Sequence, residues 1–186
     1  MIDARSLAGQ LLLALPGMGD PRFAHAVIAM CAHDEGGALG IGIGHVHPGL
    51  TFHALLDNLG IEPGAAPNVP VHLGGPVGLE RGFVLHSPEW SDAETARVGD
   101  AFALSASVEV LRAIAAGEGP ERWLMALGYA GWGAGQLEDE LCGHGWSTGP
   151  ASDALLFATP AEQRWTAAWR AQGIDPALLA NTTGRA

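Results

Sequence analysis

The sequence predicts an α+β fold with a largely antiparallel sheet, on three observations. Strand-type runs come in adjacent pairs joined by turn residues. Helical stretches are interspersed without the strict alternation of a doubly wound fold. No internal repeat or low-complexity tract interrupts the 186 residues, so one domain over 1–186 is expected, with 181–186 as a loose tail. A chain this long buries about 70% of its unfolded surface, so it needs neither disulfide nor metal to fold.

The elements follow in order. Gln10–Leu15 reads as a buried strand ended by Pro16-Gly17. Val27–Ala32 and Leu39–Ile43 form a pair joined through Asp34-Glu35-Gly36-Gly37. Gly40, Gly42 and Gly44 alternate, so one face of that second strand lacks side chains and something must approach it closely. Thr51 caps a helix whose apolar positions are Phe52, Leu55, Leu56 and Leu59, with Gly60 after it. Residues 62–70 are a loop. Val71–Leu73 and Arg81–His86 are strands around Gly74-Gly75-Pro76-Val77-Gly78, and the simplest arrangement for them is a β-hairpin. Ala101–Leu104 is a strand, and Ser107 caps a helix that Gly117 stops. Trp123–Leu127 is a strand that runs into 128–141, a strand–glycine turn–helix unit with Leu137 and Leu141 on its buried face. Ala154–Ala158 reads as a further strand. Thr159-Pro160-Ala161-Glu162 reads as a capping box opening a helix to about Gln172, with Trp165 and Trp169 on one face.

Composition narrows the function. The net charge is −11, from 20 acidic residues and 9 basic residues, and every basic residue is arginine. An acidic chain with no basic cluster is a poor ligand for nucleic acid, whose non-specific binding rests on phosphate neutralisation, and anionic membrane surfaces repel it. The absence of lysine removes a Walker A loop, a Schiff-base lysine and Ser-Lys catalysis together. Cys31 and Cys142 form no CxxC and read as reduced, small apolar residues of a cytoplasmic protein. The apolar run Leu11–Leu15 does not make a signal peptide, because Asp3 offsets Arg5 and no small-x-small site follows.

Several chemistries are tested and set aside. Gly145-Trp146-Ser147-Thr148-Gly149 matches GxSxG, but no histidine follows it to complete a Ser…Asp…His order. His45-x-His47 presents two imidazoles on one face, yet no spacing gathers the three or four ligands of a zinc site. No GxGxxG follows a strand and opens a helix, so dinucleotide binding has no support, and no cofactor is expected. Glu138, Asp139 and Glu140 complement the dipole of their own helix and repel phosphate from its N-terminus.

Taken together, Gly9–Ala14, Asp20-Pro21-Arg22-Phe23, Cys31–Asp34, Gly37–Gly40, His72–Pro76, Arg81–His86, Leu127–Trp132, Gly135–Glu138 and Trp146 resemble the YqgE/AlgH family. The match covers almost the whole chain. The resemblance implies a bifurcated, mostly antiparallel sheet partly closed into a small barrel and surrounded by helices. It also implies a bacterial family without an established activity, whose members are often labelled transcriptional regulators. One departure is that this chain has Gly44-His45-Val46-His47-Pro48 where family members usually carry an Asn followed by a basic residue and Pro after the strand.

The candidate ligand- or partner-binding residues are Gly74, Gly75, Pro76, Arg81, Gly82, His86, Tyr129, Trp132 and Gln136. The first expectation is a non-enzymatic accessory or regulatory protein that binds an unknown protein or small molecule, without direct nucleic-acid or membrane contact. The alternative is an enzyme or ligand cleft in which His86 acts as general base, Arg81 holds an anionic group, and Gly74 and Gly75 present their amides.

Overall fold

The computed structural model describes residues 6–143 and 145–180, so the expected tail at 181–186 lies outside the described residues. The fold is α+β: a curled, mostly antiparallel half-barrel sheet with helices around it. One path of strands runs β10 (Trp146–Pro150), β1 (Gln10–Ala14), β2 (Val27–Asp34), β3 (Gly37–Gly42), β9 (Trp123–Gly133), β6 (Val77–His86), β8 (Phe102–Ser105), β7 (Ala96–Val98).

The sheet forks at β9. One edge of β9 pairs antiparallel with β6, through Gly82↔Leu127 to His86↔Trp123. The other edge is shared. Its first half takes β5 (Pro70–Leu73) in parallel, Val71↔Met125 to Leu73↔Leu127, and β4 (Val46–Thr51) pairs beyond β5. Its second half takes β3, Gly37↔Gly133 to Gly40↔Ala130. This overturns the expected hairpin at 71–86. Its two strands do not pair with each other; β9 lies between them.

The connection from β5 to β6 must therefore cross β9. It does so at Gly74-Gly75, where the Gly74 amide donates to the Leu127 carbonyl at 2.8 Å and the Gly74 carbonyl accepts from Gly42 at 2.7 Å. A Cβ on Gly74 would fall inside the Gly128 carbonyl, and one on Gly75 would fall on the Tyr129–Ala130 peptide. Gly75 (φ 151°) and Gly128 (φ 77°) also hold backbone angles that side chains disfavour. The side-chain-free face of β3 has the same cause, since a Cβ on Gly42 would sit 2.6 Å from the Leu73 carbonyl.

Helix α1 (Phe52–Asn58) buries Phe52, Leu55 and Leu56. It stops one residue earlier than the apolar stripe suggests, leaving Leu59 51% exposed. Helix α2 (Val108–Ala116) starts at Ser107, whose hydroxyl accepts from Val110 at 3.3 Å, and ends on left-handed Gly117. Both helices pack on Val84 and Met125. Helix α3 is Gln136–Cys142, α4 is Ala161–Arg170 and α5 is Pro176–Ala180. Trp165 and Trp169 of α4 pack into the largest core, with Leu11, Val27, Ile41, Leu85 and Phe102.

Two further expectations are corrected. Ala154–Ala158 is a helical turn, not a strand; its apolar run buries only Leu155 and Leu156. The capping box does not form, because the Thr159 hydroxyl turns back to the Ala154 carbonyl at 2.7 Å and α4 has no side-chain cap. Cys142 is exposed, whereas burial pushes the Cys31 thiol up to about 12. Among the described residues no helix is long and apolar enough to cross a membrane.

Candidate functional site

The end of β9 carries the site. Left-handed Gly135 turns the chain from β9 into α3, and buried Leu137 anchors that helix to the core. Residues 136 and 140 lie one turn apart on a helix and so share a face. That face puts Gln136 and Glu140 beside Trp132 of β9 and Trp146 at the start of β10. The indole N–H groups of Trp132 and Trp146 both donate to Glu140 Oε2, at 3.0 and 2.9 Å. Gln136 Nε2 donates to Oε1 at 3.0 Å, while Gln136 Oε1 accepts from the Gly133 amide at 3.0 Å. Among the described residues every hydrogen bond to this carboxylate thus comes from a neutral donor, and no ion pair forms with it.

Aromatic rings wall the space above it. Phe23 meets Trp146 edge-on at 5.4 Å, and Trp132 meets Trp146 at 6.3 Å. Phe23 is placed by a short turn, Pro21–Phe23, whose cap is Asp20. Asp20 also pairs with Arg22 at 2.7 Å, which holds its carboxyl below the usual range. The cavity holds about 540 Å³. Arg22, Phe23, Pro76 and Ala130 also line an adjoining recess of about 260 Å³, with Ala26, Ile28, Gly74 and Gly75. Of its charged linings, Asp20 and Arg22 cancel and Glu140 remains.

Five of the nine sequence-predicted residues meet in this joined cleft: Gly74, Gly75, Pro76, Trp132 and Gln136. The other four do not. Tyr129 faces away from Trp132, because three residues along a strand reverse the side. It stacks edge-on with Phe83 at 5.9 Å, and the Arg81 guanidinium covers both rings at 5.4 and 5.8 Å. Gly82 lines a separate hollow beside Met125 and Ser105.

His86 is fully buried. Burial lowers its pKa; Nδ1–H donates to the Ser87 carbonyl at 2.8 Å, and Nε2 is hydrogen-bonded to Ser105 Oγ at 2.9 Å. The network runs on to Thr95 at 2.7 Å and Asp92 at 3.0 Å. It ties β6 and β8 to the 87–95 segment and shares no cavity with exposed Arg81. The general-base arrangement of His86 and Arg81 therefore does not form, and the Gly74 amide is already spent on Leu127.

Glu140, Trp146 and Phe23 were missed as site residues. The signal for Glu140 is its spacing: it follows buried Leu137 by three, and it lies toward the C-terminal end of α3, where an acid does not serve the helix dipole. His33 takes the neighbouring Glu138 at 2.8 Å, so the three consecutive acids have different roles.

Comparison with known proteins gives a consistent picture. The AlgH-like family model matches residues 11–177. A UPF0301 protein of Novosphingobium aromaticivorans is 58% identical over 186 residues, the whole of both chains, and one of Rhizorhabdus wittichii is 58% identical over 181, or 97% of each. The solution structure of the AlgH protein from Pseudomonas aeruginosa superposes with a TM-score of 0.81 at 41% identity, covering 100% of this chain and 97% of that one. A crystal structure of a Corynebacterium diphtheriae protein shares the fold, with a TM-score of 0.75 at 20% identity over 92% and 90% of the two chains.

Proposed function

The chain belongs to the AlgH-like family, and from that premise we propose that it is a non-catalytic binding protein whose cleft takes a cationic group, an ammonium or guanidinium, presented by a basic segment of a protein partner. Its role is accessory or regulatory, exerted through that partner and without contact to nucleic acid. The observation that carries this reading is Glu140: a carboxylate fixed by three neutral donors inside an aromatic wall. A cation over a Trp or Phe face gains about 0.5–2 kcal/mol, and a nearby carboxylate adds a charge-assisted hydrogen bond. A net charge of −11 steers basic partners toward the protein.

The test is a titration of the protein with an arginine-rich peptide and an acidic peptide of equal length, followed at the indole N–H resonances of Trp132 and Trp146. The basic peptide should shift both, with an affinity that falls as salt rises, and Glu140→Gln should abolish the shifts while keeping the indole acceptor. Equal shifts with the acidic peptide, or an unchanged response in Glu140→Gln, would remove the reading.

A further inference from the structure

The opposite end of β9 holds a second cavity, of about 570 Å³, that none of the nine sequence candidates lines. We propose that it binds a small molecule with an apolar body and a single carboxylate, seated against Arg164.

Arg164 is only 4% exposed, yet no carboxylate among the described residues lies within ion-pair distance of it. Its partners are neutral. Nε donates to the Leu155 carbonyl at 2.9 Å, Nη2 to Leu156 at 3.0 Å, and Nη1 to Ile43 and to His72 Nε2, both at 2.7 Å. His72 can accept there because its Nδ1–H is turned to the Met125 carbonyl at 3.2 Å. Four of the five guanidinium hydrogens are thus committed and one remains. Glu162 favours the charge from beyond ion-pair distance, but burial opposes it more strongly, and a buried guanidinium without a direct ion pair is costly unless something anionic completes it. Carbonyls of the 154–158 turn supply part of that compensation, as the negative end of a helical turn.

The remaining walls select the ligand. Val46, Val69, Trp123, Leu124, Phe157 and Pro160 are apolar and suit a hydrocarbon or aromatic body. At the rim, Arg122 is engaged by Asp153, while Glu121 and Glu162 add negative charge. Those acids repel a phosphate or nucleotide more strongly than a monoanion. Helix α4 begins at this cavity, where Pro160, Ala161 and Glu162 line it, and it has no side-chain cap. The inference concerns a different cavity from the aromatic cleft and stands or falls separately from it.

The experiment is an NMR titration with octanoate, octan-1-ol and octyltrimethylammonium, read at the Arg164 Nε–Hε resonance and repeated on Val46→Trp, which enlarges a partly exposed wall residue of the cavity and leaves Arg164 in place. Octanoate should shift the Arg164 signal and bind about tenfold tighter than the alcohol, since the alcohol leaves the charge unmatched. The ammonium should leave it unmoved, and Val46→Trp should weaken octanoate by a similar factor. Octanoate that fails to shift Arg164, or that binds no tighter than octanol, overturns the proposal on the wild-type protein alone.

Discussion

The two hollows at the ends of β9 are built alike with opposite sign. At one end a carboxylate is held by two indoles and an amide; at the other a guanidinium is held by three carbonyls and an imidazole. In both, neutral partners fix the geometry of a charge without cancelling it. What differs is burial. Glu140 is half-buried and Arg164 is buried, so the first charge is kept at little cost by water while the second depends on its partners. The contrast separates a site that tolerates change from one that also holds the fold together. Between them lies the glycine crossing, where Gly74 and Gly75 pass against the Leu127–Ala130 backbone of β9.

That crossing should show the largest effect. Gly74→Ala has no room for its methyl group against the Gly128 carbonyl, and a loss above about 4 kcal/mol or failure to fold is expected in denaturant titration. Gly49→Ala is the control: φ there is 79° with open space around it, and the expected loss is about 1 kcal/mol. Similar losses at both positions would mean that the crossing is not as tight as described.

Next comes Arg164→Met. It strips hydrogen bonds from His72, Ile43, Leu155 and Leu156 in the interior, and about 3–5 kcal/mol should disappear. Glu140→Gln keeps an acceptor for both indoles and should cost less than about 1 kcal/mol, which is the energetic form of the contrast. A Glu140→Gln variant as unstable as Arg164→Met would erase it.

The pH dependence follows from His72. Burial, then the charge of Arg164, lowers its pKa from 6.5 to about 4. Below pH 6.5 the unfolded chain takes up a proton that the folded chain refuses, so stability is full above 6.5 and falls as pH drops to 4. At about 1.4 kcal/mol per pH unit the loss approaches 3 kcal/mol. Buried His86, also lowered, acts in the same direction. Denaturant midpoints between pH 7 and 4 should fall less steeply in His72→Gln than in wild type, and parallel slopes would contradict the assignment.

How much of this was legible in the sequence depends on range. The α1 and α2 caps, the β2–β3 pair and the Trp165–Trp169 face are local patterns, and they form as read. The 71–86 stretch was misplaced because two strands separated by a glycine turn look like a hairpin. Their true partner, β9, begins 37 residues after His86, and nothing local reports it. The run Ala154–Ala158 is too short for its periodicity to separate strand from helix. Gly74, Gly75, Pro76, Trp132 and Gln136 were found through motifs whose glycines serve the crossing and whose other members shape the cleft. Arg164 passed unnoticed beside Trp165, although the pattern held it: Ala161, Arg164, Trp165, Ala168 and Trp169 form one buried stripe, and a charge within such a stripe must have built-in partners.

The central claim is that, among the described residues, neutral hydrogen-bond partners hold a negative charge beside one end of β9, Glu140 of α3, and a positive charge beside the other, Arg164 of α4. One set of spectra tests it: Trp132 and Trp146 indole signals and the Arg164 Nε–Hε signal, recorded together while an arginine-rich peptide and then octanoate are added. The peptide should move only the indoles, and octanoate only the guanidinium. If both additions move the same signals, or neither moves any, the two ends are not the opposed sites described.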